Sequence, residues 1–486
     1  MAVFTDGCVL LLSEKCIASY SSVSTVFLKP SYIMRSLLTI LFIALLQPAF
    51  AQDLVSNRQR EIVFKSVNVI PMDQERVLEN QTVVVKNGKV TALGADGKVK
   101  YANDAQVIDA RGKYLTPGWA EIHAHVPPVD DLEPMKDVLT LYLANGITTI
   151  RGMLGHPKHL ELRSKINSGE ILGPHFYAAG PSFSGQTVKS AEQGARMVRE
   201  QKAAGYDFLK LHPGLTKETF PAIAKTAKEV GIPFIGHVSF NVGAWMAIDA
   251  GYSSIDHLDS FMEAITPGSD TLVEQETGLF GSWIGYRADP ALIPKLVNGL
   301  REKNIRVVPT EALAERWLSP QPADEFVKAP EMKYMKAEEV RNWTNTKNNY
   351  NNNPNFSKEK AEKYLEMRRK ILYECQKNGV QILLGSDAPQ VFNVPGFSIH
   401  HEMRYLVGAG LTPYETLRTG TVNVASYFNK PDWGTIKTGN VSDLVLLSGN
   451  PLKDISQTQN IEGVMIGTNW LSKAYIQKEL KKLEKQ

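Results

Sequence analysis

The chain has 486 residues, 43% of them hydrophobic and 22% charged, with a formal net charge of +3. That length buries a large core and permits one large domain with an appendage, or two to three smaller domains. The weak, mixed charge excludes the strongly basic signature of nucleic-acid binding and gives no reason to invoke an anionic membrane as partner.

In chain order, Met34-Arg35 precede the apolar run Leu37 to Leu46, and Pro48-Ala49-Phe50-Ala51 closes it. A basic start, a short apolar middle and an Ala-x-Ala end predict a secretory signal peptide cleaved after Ala51, and hence a periplasmic or secreted protein. The run is too short for a stable membrane anchor. Residues 1–51 thus read as an upstream extension plus signal peptide, with translation expected to begin at Met34. Only Cys375 of the three cysteines lies beyond the cleavage point. No internal disulfide is therefore expected, and Cys375 is assigned to packing.

From Glu61 to Val107 the pattern is β, and Val83, Val84 and Val85 precede Asn87-Gly88, a two-residue hairpin signal. After His125 short apolar stretches alternate with helical ones, the sign of repeated βα units around a parallel sheet. Eight strands are expected: Ala120 to His125, Thr148 to Met153, His175 to Ala179, Asp207 to His212, Pro233 to Val238, Ser254 to Leu258, Arg306 to Thr310, and Gln381 to Ser386. Their span is close to the ~250 residues of a (β/α)8 barrel. A doubly wound open sheet competes, but no glycine-rich phosphate loop follows any strand.

The stretch Glu315 to Phe356, with its run NTKNNYNNNPN, reads as a mobile surface loop or cap able to present Trp317, Trp343 or Tyr350 to a ligand. Leu411 to Phe428 reads as a helix pair. β pattern returns at Gly434 to Leu447 and Ile461 to Ile466, before a charged helix. The fold class expected is α/β: a TIM-type barrel over 115–431, inserted into a small β-sandwich domain assembled from 52–114 and 432–475.

Polar residues mark the carboxyl ends of the expected strands. His123 and His125 alternate on one face, about 7 Å apart, so two imidazoles stand side by side. Lys210, His237, His257 and Asp387 follow on later strands, at the barrel face that carries active sites. Singly, each has an ordinary role: Lys210 can snorkel, Asp387 can cap a helix, and a histidine can be a satisfied core residue. Together, on one rim, they read as a metal site.

The ordered set TPGWAEIHAHV, FLKLH, FIGHV, IDHLD and LLGSDAP resembles the amidohydrolase superfamily, in its imidazolonepropionase-like and Xaa-Pro-dipeptidase-like branch. The resemblance covers nearly all of the chain after the signal peptide. It implies two divalent metal ions, zinc foremost, with manganese and others open. His123 and His125 would hold the more buried ion and His237 and His257 the other. Lys210, carboxylated by CO2, would bridge them, and Asp387 would be both ligand and catalytic base. The implied reaction is hydrolysis of the C–N bond of a small amide or dipeptide by a metal-bridging hydroxide.

His212 shares a strand face with Lys210, so either could reach the metals; the family pattern places lysine there. His212, Arg151 and His400 are then candidate substrate contacts. Two other readings remain: a mononuclear deaminase-type relative that releases ammonia, and a non-catalytic binding protein on the same barrel. The sequence leaves the oligomeric state open, a homo-oligomer included.

Overall fold

The computed structural model describes residues 54–56 and 60–485. The export segment, its cleavage point, Cys8 and Cys16 lie outside the described residues.

Six strands come first: β1 (Leu54–Ser56), β2 (Ile62–Val69), β3 (Leu78–Lys86), β4 (Lys89–Ala95), β5 (Gln106–Asp109) and β6 (Tyr114–Pro117). Asn87 and Gly88 both take positive φ, 52° and 73°, as the tight β3–β4 hairpin requires. β2 pairs in parallel with β5 through Ile62–Lys65 and with β6 through Asn68 and Val69. Between those halves its register with β3 shifts and Ser66 sits at φ 58°, so the strand bends there.

The barrel strands follow: β7 (Trp119–Ala124), β8 (Ile147–Gly152), β9 (His175–Ala178), β10 (Leu209–Leu211), β11 (Phe234–Gly236), β12 (Ser254–Asp256) and β13 (Arg306–Val308). Last come β14 (Leu444–Leu447), β15 (Ile461–Ile466) and β16 (Asn469–Ser472). These three rejoin the first sheet, whose order is β1-β16-β15-β14-β6-β2-β3-β4 with β5 on β2. All four residues of β14 are buried against β6 and β15, so both ends of the chain share one ladder. Phe64 of β2 meets Trp470 of β16 edge-on at 5.2 Å although the two strands are far apart in the sheet. The sheet therefore folds over on itself around a core that includes Val83, Leu115, Leu444 and Met465.

Gly118 carries the chain from that sheet into the barrel; a Cβ there would lie 2.3 Å from Thr148 Oγ1, so only glycine allows the approach. β7, β8 and β9 pair in parallel, as do β10, β11, β12 and β13. Parallel bridges join the two sets: Ala179 to Phe208 on one side, then Val307 to Ile382 and Ala124 to Ala388 on the other. The 381–388 segment thus acts as the eighth stave and closes the ring, with Ile122 N donating to Leu384 O at 2.8 Å. It forms isolated bridges in place of a regular strand, and β10 to β13 are three residues each. The expected strands were longer because apolar character continues past the point where the backbone leaves the ladder.

The 315–356 stretch corrects the reading of a mobile loop. It contains helices Glu311–Leu318, Ala323–Val327 and Ala337–Asn351, so most of the asparagine-rich run is helical. Lys347 within it is fully buried and donates to Trp317 O at 2.9 Å and to the Ser319 carbonyl. Tyr350 stacks on Trp283 at 4.7 Å and Trp343 meets Phe392 edge-on at 6.1 Å, which engages these rings with the protein. Cys375 is buried, its thiol pushed up to about 12 by burial. Among the described residues no helix is long and apolar enough to cross a membrane.

Candidate metal centre

β7 delivers Glu121 and His123 to the barrel interior, and His125 stands just beyond its end. His125 Nε2 lies 2.8 Å and His123 Nε2 3.7 Å from Asp387 Oδ1 on the eighth stave. These three side chains each offer a ligand atom within 4.8 Å of the other two. Lys210 Nζ, from β10, lies 3.4 Å from His123 Nε2. The His257 ring stands 4.5 Å from His123 and 4.3 Å from His237, with its Nδ1 3.7 Å from Asp387 Oδ2. Of the six side chains expected as ligands, His123, His125 and Asp387 form one compact group, Lys210 and His257 stand against it, and His237 adjoins through His257.

A supporting layer fixes them. Glu121 Oε1 accepts from His123 N at 3.0 Å and Ser386 N at 2.8 Å, while Oε2 accepts from Ser386 Oγ at 2.5 Å. One carboxylate thereby latches the first stave to the eighth, and burial pushes it up to about 8. Asp256 Oδ2 stands 2.8 Å from His123 Nδ1, and Asp259 Oδ2 stands 2.7 Å from His237 Nδ1. A carboxylate behind a ligating imidazole sets its orientation and basicity. His257 Nδ1 lies 2.9 Å from Thr310 Oγ1. His257, Thr310 and Asp387 all hold positive φ (64°, 51° and 60°), backbone strain of the kind concentrated at functional sites. Arg368, fully buried and paired with Glu311, donates to the His257 carbonyl at 2.8 Å and holds that turn in place.

The donor set fits a divalent cation. His257 Nε2 is buried without a hydrogen-bond partner among the described residues, and the buried Asp387 Oδ1 faces His125 Nε2 at 2.8 Å. Burial, reinforced by neighbouring cationic groups, holds His123, His237 and His257 far below the usual histidine range. Neutral imidazoles with free lone pairs beside a carboxylate are ligands for zinc and its neighbours. Lys210 is wholly buried, and burial brings its ammonium down to about 8 against the pull of Asp256 and Asp387.

Two expected substrate contacts are corrected. Arg151 is fully buried: it donates to Ile122 O at 2.9 Å, to Ser254 Oγ at 3.0 Å and to the Tyr427 hydroxyl at 2.9 Å, and faces Asp256 at 3.3 Å. Its guanidinium is buried among these partners and paired with Asp256. His400 is buried on helix Ser398–Gly408 between Thr458 Oγ1 at 3.0 Å and Asn145 Oδ1 at 3.2 Å, edge-on to Trp119. It lies in packing between helices. His212 alone of the three stands by the cluster, half-buried, with its ring 4.9 Å from His237.

The sequence reading missed Glu121, Asp256, Asp259, Thr310 and Phe280. Glu121 had a signal, since it alternates with His123 and His125 on the same strand face. Asp256 and Asp259 flank His257 in IDHLD. Phe280 gave none: it comes from an irregular segment and stacks on the His257 ring at 5.0 Å and 10°. Beside it a cavity of about 280 Å³ opens against His237, lined also by Phe240, Asp259, Glu263 and Thr277.

A family model described as the Amidohydrolase family matches residues 114–471. An enamidase of Eubacterium barkeri is 30% identical over 169 residues, 33% of this chain and 38% of that protein; the match therefore spans well under half of the relative. An ochratoxinase of Aspergillus niger is 22% identical over 465 residues, 82% of this chain and 83% of that protein. Among solved structures, a Xaa-Pro dipeptidase with bound methionine in its active site superposes with a TM-score of 0.60 at 18% identity, covering 85% of this chain and all of that one. That likeness shows the barrel fold.

Proposed function

The chain belongs to the amidohydrolase family, and from that premise we propose that it is a metal-dependent hydrolase of a small amide or dipeptide. The observation that carries this reading is the convergence of His123, His125 and Asp387, with His257 Nε2 buried beside them and without a hydrogen-bond partner among the described residues.

His123, His125 and Asp387 would hold one ion, and His237 and His257 a second. Burial favours the neutral amine of Lys210, the form that adds CO2, and the resulting carbamate would offer oxygen donors to both ions. Bound divalent ions acidify water to near neutrality and polarise a scissile carbonyl. Asp387 would take the proton of the attacking water and pass it to the departing nitrogen. Asp256 and Asp259 keep His123 and His237 turned inward, and Phe280 shields the His257 side from solvent. Support for a dipeptide comes from the Xaa-Pro dipeptidase likeness and from a cavity of amino-acid size.

The compactness of His123, His125 and Asp387 taken alone would suit a mononuclear, ammonia-releasing relative. The test is elemental analysis of the purified protein, with turnover of dipeptides and N-acyl amino acids and an ammonia assay in parallel. Two metal equivalents, with amine release from a peptide-like bond, are expected. Lys210→Ala should lose at least one equivalent. Ammonia as the product, or unchanged metal in that variant, overturns the binuclear peptide-cleaving reading. Export rests on the sequence of residues 34–51; amino-terminal sequencing of the native protein should begin at Gln52.

A further inference from the structure

Helix Glu311–Leu318 follows β13 through Pro309 and Thr310, and Thr310 stands at its N-cap position at φ 51° and ψ 46°. A threonine there ordinarily takes extended backbone angles and accepts an N–H of the first turn with its hydroxyl. Thr310 makes no such bond. Its Oγ1 stands 2.9 Å from His257 Nδ1. With that hydroxyl accepting, the ring proton stays on Nδ1. The buried Nε2, which has no hydrogen-bond partner among the described residues, then keeps its lone pair for an ion.

The cap that Thr310 does not supply comes from a helix further along the chain. Glu402, on helix Ser398–Gly408, is fully buried, and its Oε2 accepts from Ala312 N at 2.6 Å. The Glu311 N–H bonds the same carboxyl. First-turn donors at a buried helix end need an acceptor, and with Glu402 serving them the Thr310 hydroxyl is free to face His257. The side chain of Glu311 ties the same turn to His257 a second time. Arg368 Nε donates to Glu311 Oε1 at 2.8 Å, while its Nη1 and Nη2 donate to the His257 carbonyl at 2.8 Å and the Pro309 carbonyl at 2.9 Å. Both the ring and the backbone of His257 are thus held from the turn that Glu402 caps.

We infer that Glu402 is a positioning residue for His257, acting through the first turn of helix Glu311–Leu318 and the Thr310 hydroxyl. The inference rests on the hydrolase reading for the ion that His257 holds, and its test reads zinc affinity and ring tautomer. The full-length protein is titrated with zinc against a competing chelator, and the ring nitrogens of His257 in the metal-free protein are followed by NMR. Glu402→Met removes the acceptor at similar size and should weaken the ion that needs His257 on the order of 10- to 100-fold. Burial raises the Glu402 carboxyl well above the usual carboxylate range, so a neutral amide is its closest substitute and Glu402→Gln should restore most of the affinity. Thr310→Val should reproduce the loss, and the Glu402→Met, Thr310→Val double variant should lose no more than either alone, as one shared route requires.

Glu402→Asp, which withdraws the carboxyl by a methylene, gives the same reading where Glu402→Met does not fold. Thr412→Ala removes the side-chain cap of another helix, Pro413–Thr419, and should lower the thermal midpoint at unchanged zinc affinity. Unaltered zinc affinity in the Glu402→Met or Glu402→Asp protein, or additive losses in the double variant, overturns the inference. An unmutated protein that takes up no zinc sinks the hydrolase reading alone, because the metal-free ring still reports. His257 should carry its proton on Nδ1 in the unmutated protein and in Glu402→Gln, and lose that preference in Glu402→Met and Thr310→Val. A tautomer indifferent to both substitutions overturns the positioning role as well.

Discussion

Asp387 sits at the end of the eighth stave at φ 60°, one carboxylate oxygen 2.8 Å from His125 Nε2. Asp387→Asn keeps the size and one oxygen ligand but loses the proton-accepting charge. Turnover should fall by about 10²- to 10⁴-fold while most of the metal stays bound, a separation that kcat and elemental analysis measure together. His400 gives a prediction of another kind. It is buried and held neutral, burial bringing it down from 6.5 to about 3. The unfolded chain therefore binds one more proton than the folded one between those values, and this contribution to stability is present above pH 6.5 and lost as pH falls toward 3. Within that window the slope is about 1.4 kcal/mol per pH unit. Thermal midpoints of His400→Gln should accordingly fall less steeply with acid than those of the unmutated protein, and parallel curves would refute the assignment. The neighbourhood of the six side chains was legible because a repeating βα unit places strand-end residues on one rim. Arg151 and His400 were misjudged because sequence locates a residue on an element without saying whether its neighbours there are solvent or, as here, Asp256 and Thr458.

Among the elements, the junction between β7 and the 381–388 stave decides the site, since His123, His125 and Asp387 come from its two sides. Few regular ladder bonds hold it; Glu121 supplies the rest by accepting two backbone N–H groups and the Ser386 hydroxyl. Glu121→Leu would leave those buried donors without an acceptor, at a cost of about 3 kcal/mol. Denaturant midpoints should fall accordingly, and the variant should also bind less metal, because the relative position of His123 and Asp387 is what the carboxylate sets. A loss of stability with metal content intact would make Glu121 a matter of packing only. Strand identity was readable from apolar runs such as PFIGHV, whereas strand ends were not: His257 and Asp387 leave the ladder through positive φ, which composition does not announce. The helix Ala337–Asn351 was hidden by its asparagines. Its order comes from tertiary contacts, the buried Lys347 on the 317–319 carbonyls and the Tyr350–Trp283 stack, which override a poor intrinsic propensity.

At the scale of the whole molecule, β14, β15 and β16 complete the sheet begun by β2 to β6, and the barrel lies between the two halves in the chain. That arrangement was foreseeable from β pattern at both ends, because an early meander of short strands is too small to bury its own face. It also couples metal binding to global stability. The six donors come from β7, β10, and the ends of β11, β12 and the eighth stave, so only the folded ring brings them together. An ion that binds the native state and not the unfolded one stabilises by mass action, about 4 kcal/mol at a free concentration a thousand times its Kd. Dialysis against a chelator should therefore lower the thermal midpoint, and zinc should restore it in a concentration-dependent way. Lys210→Ala should blunt the restoration, since it removes the amine that stands 3.4 Å from His123 Nε2. Arg151, fully occupied at Ile122 and Asp256 beneath the cluster, keeps its contacts in either state, so the chelated protein should retain its circular-dichroism spectrum at low temperature. A midpoint indifferent to chelator and zinc alike would mean that the convergent side chains hold no ion, and the hydrolytic chemistry assigned to them would lose its physical basis.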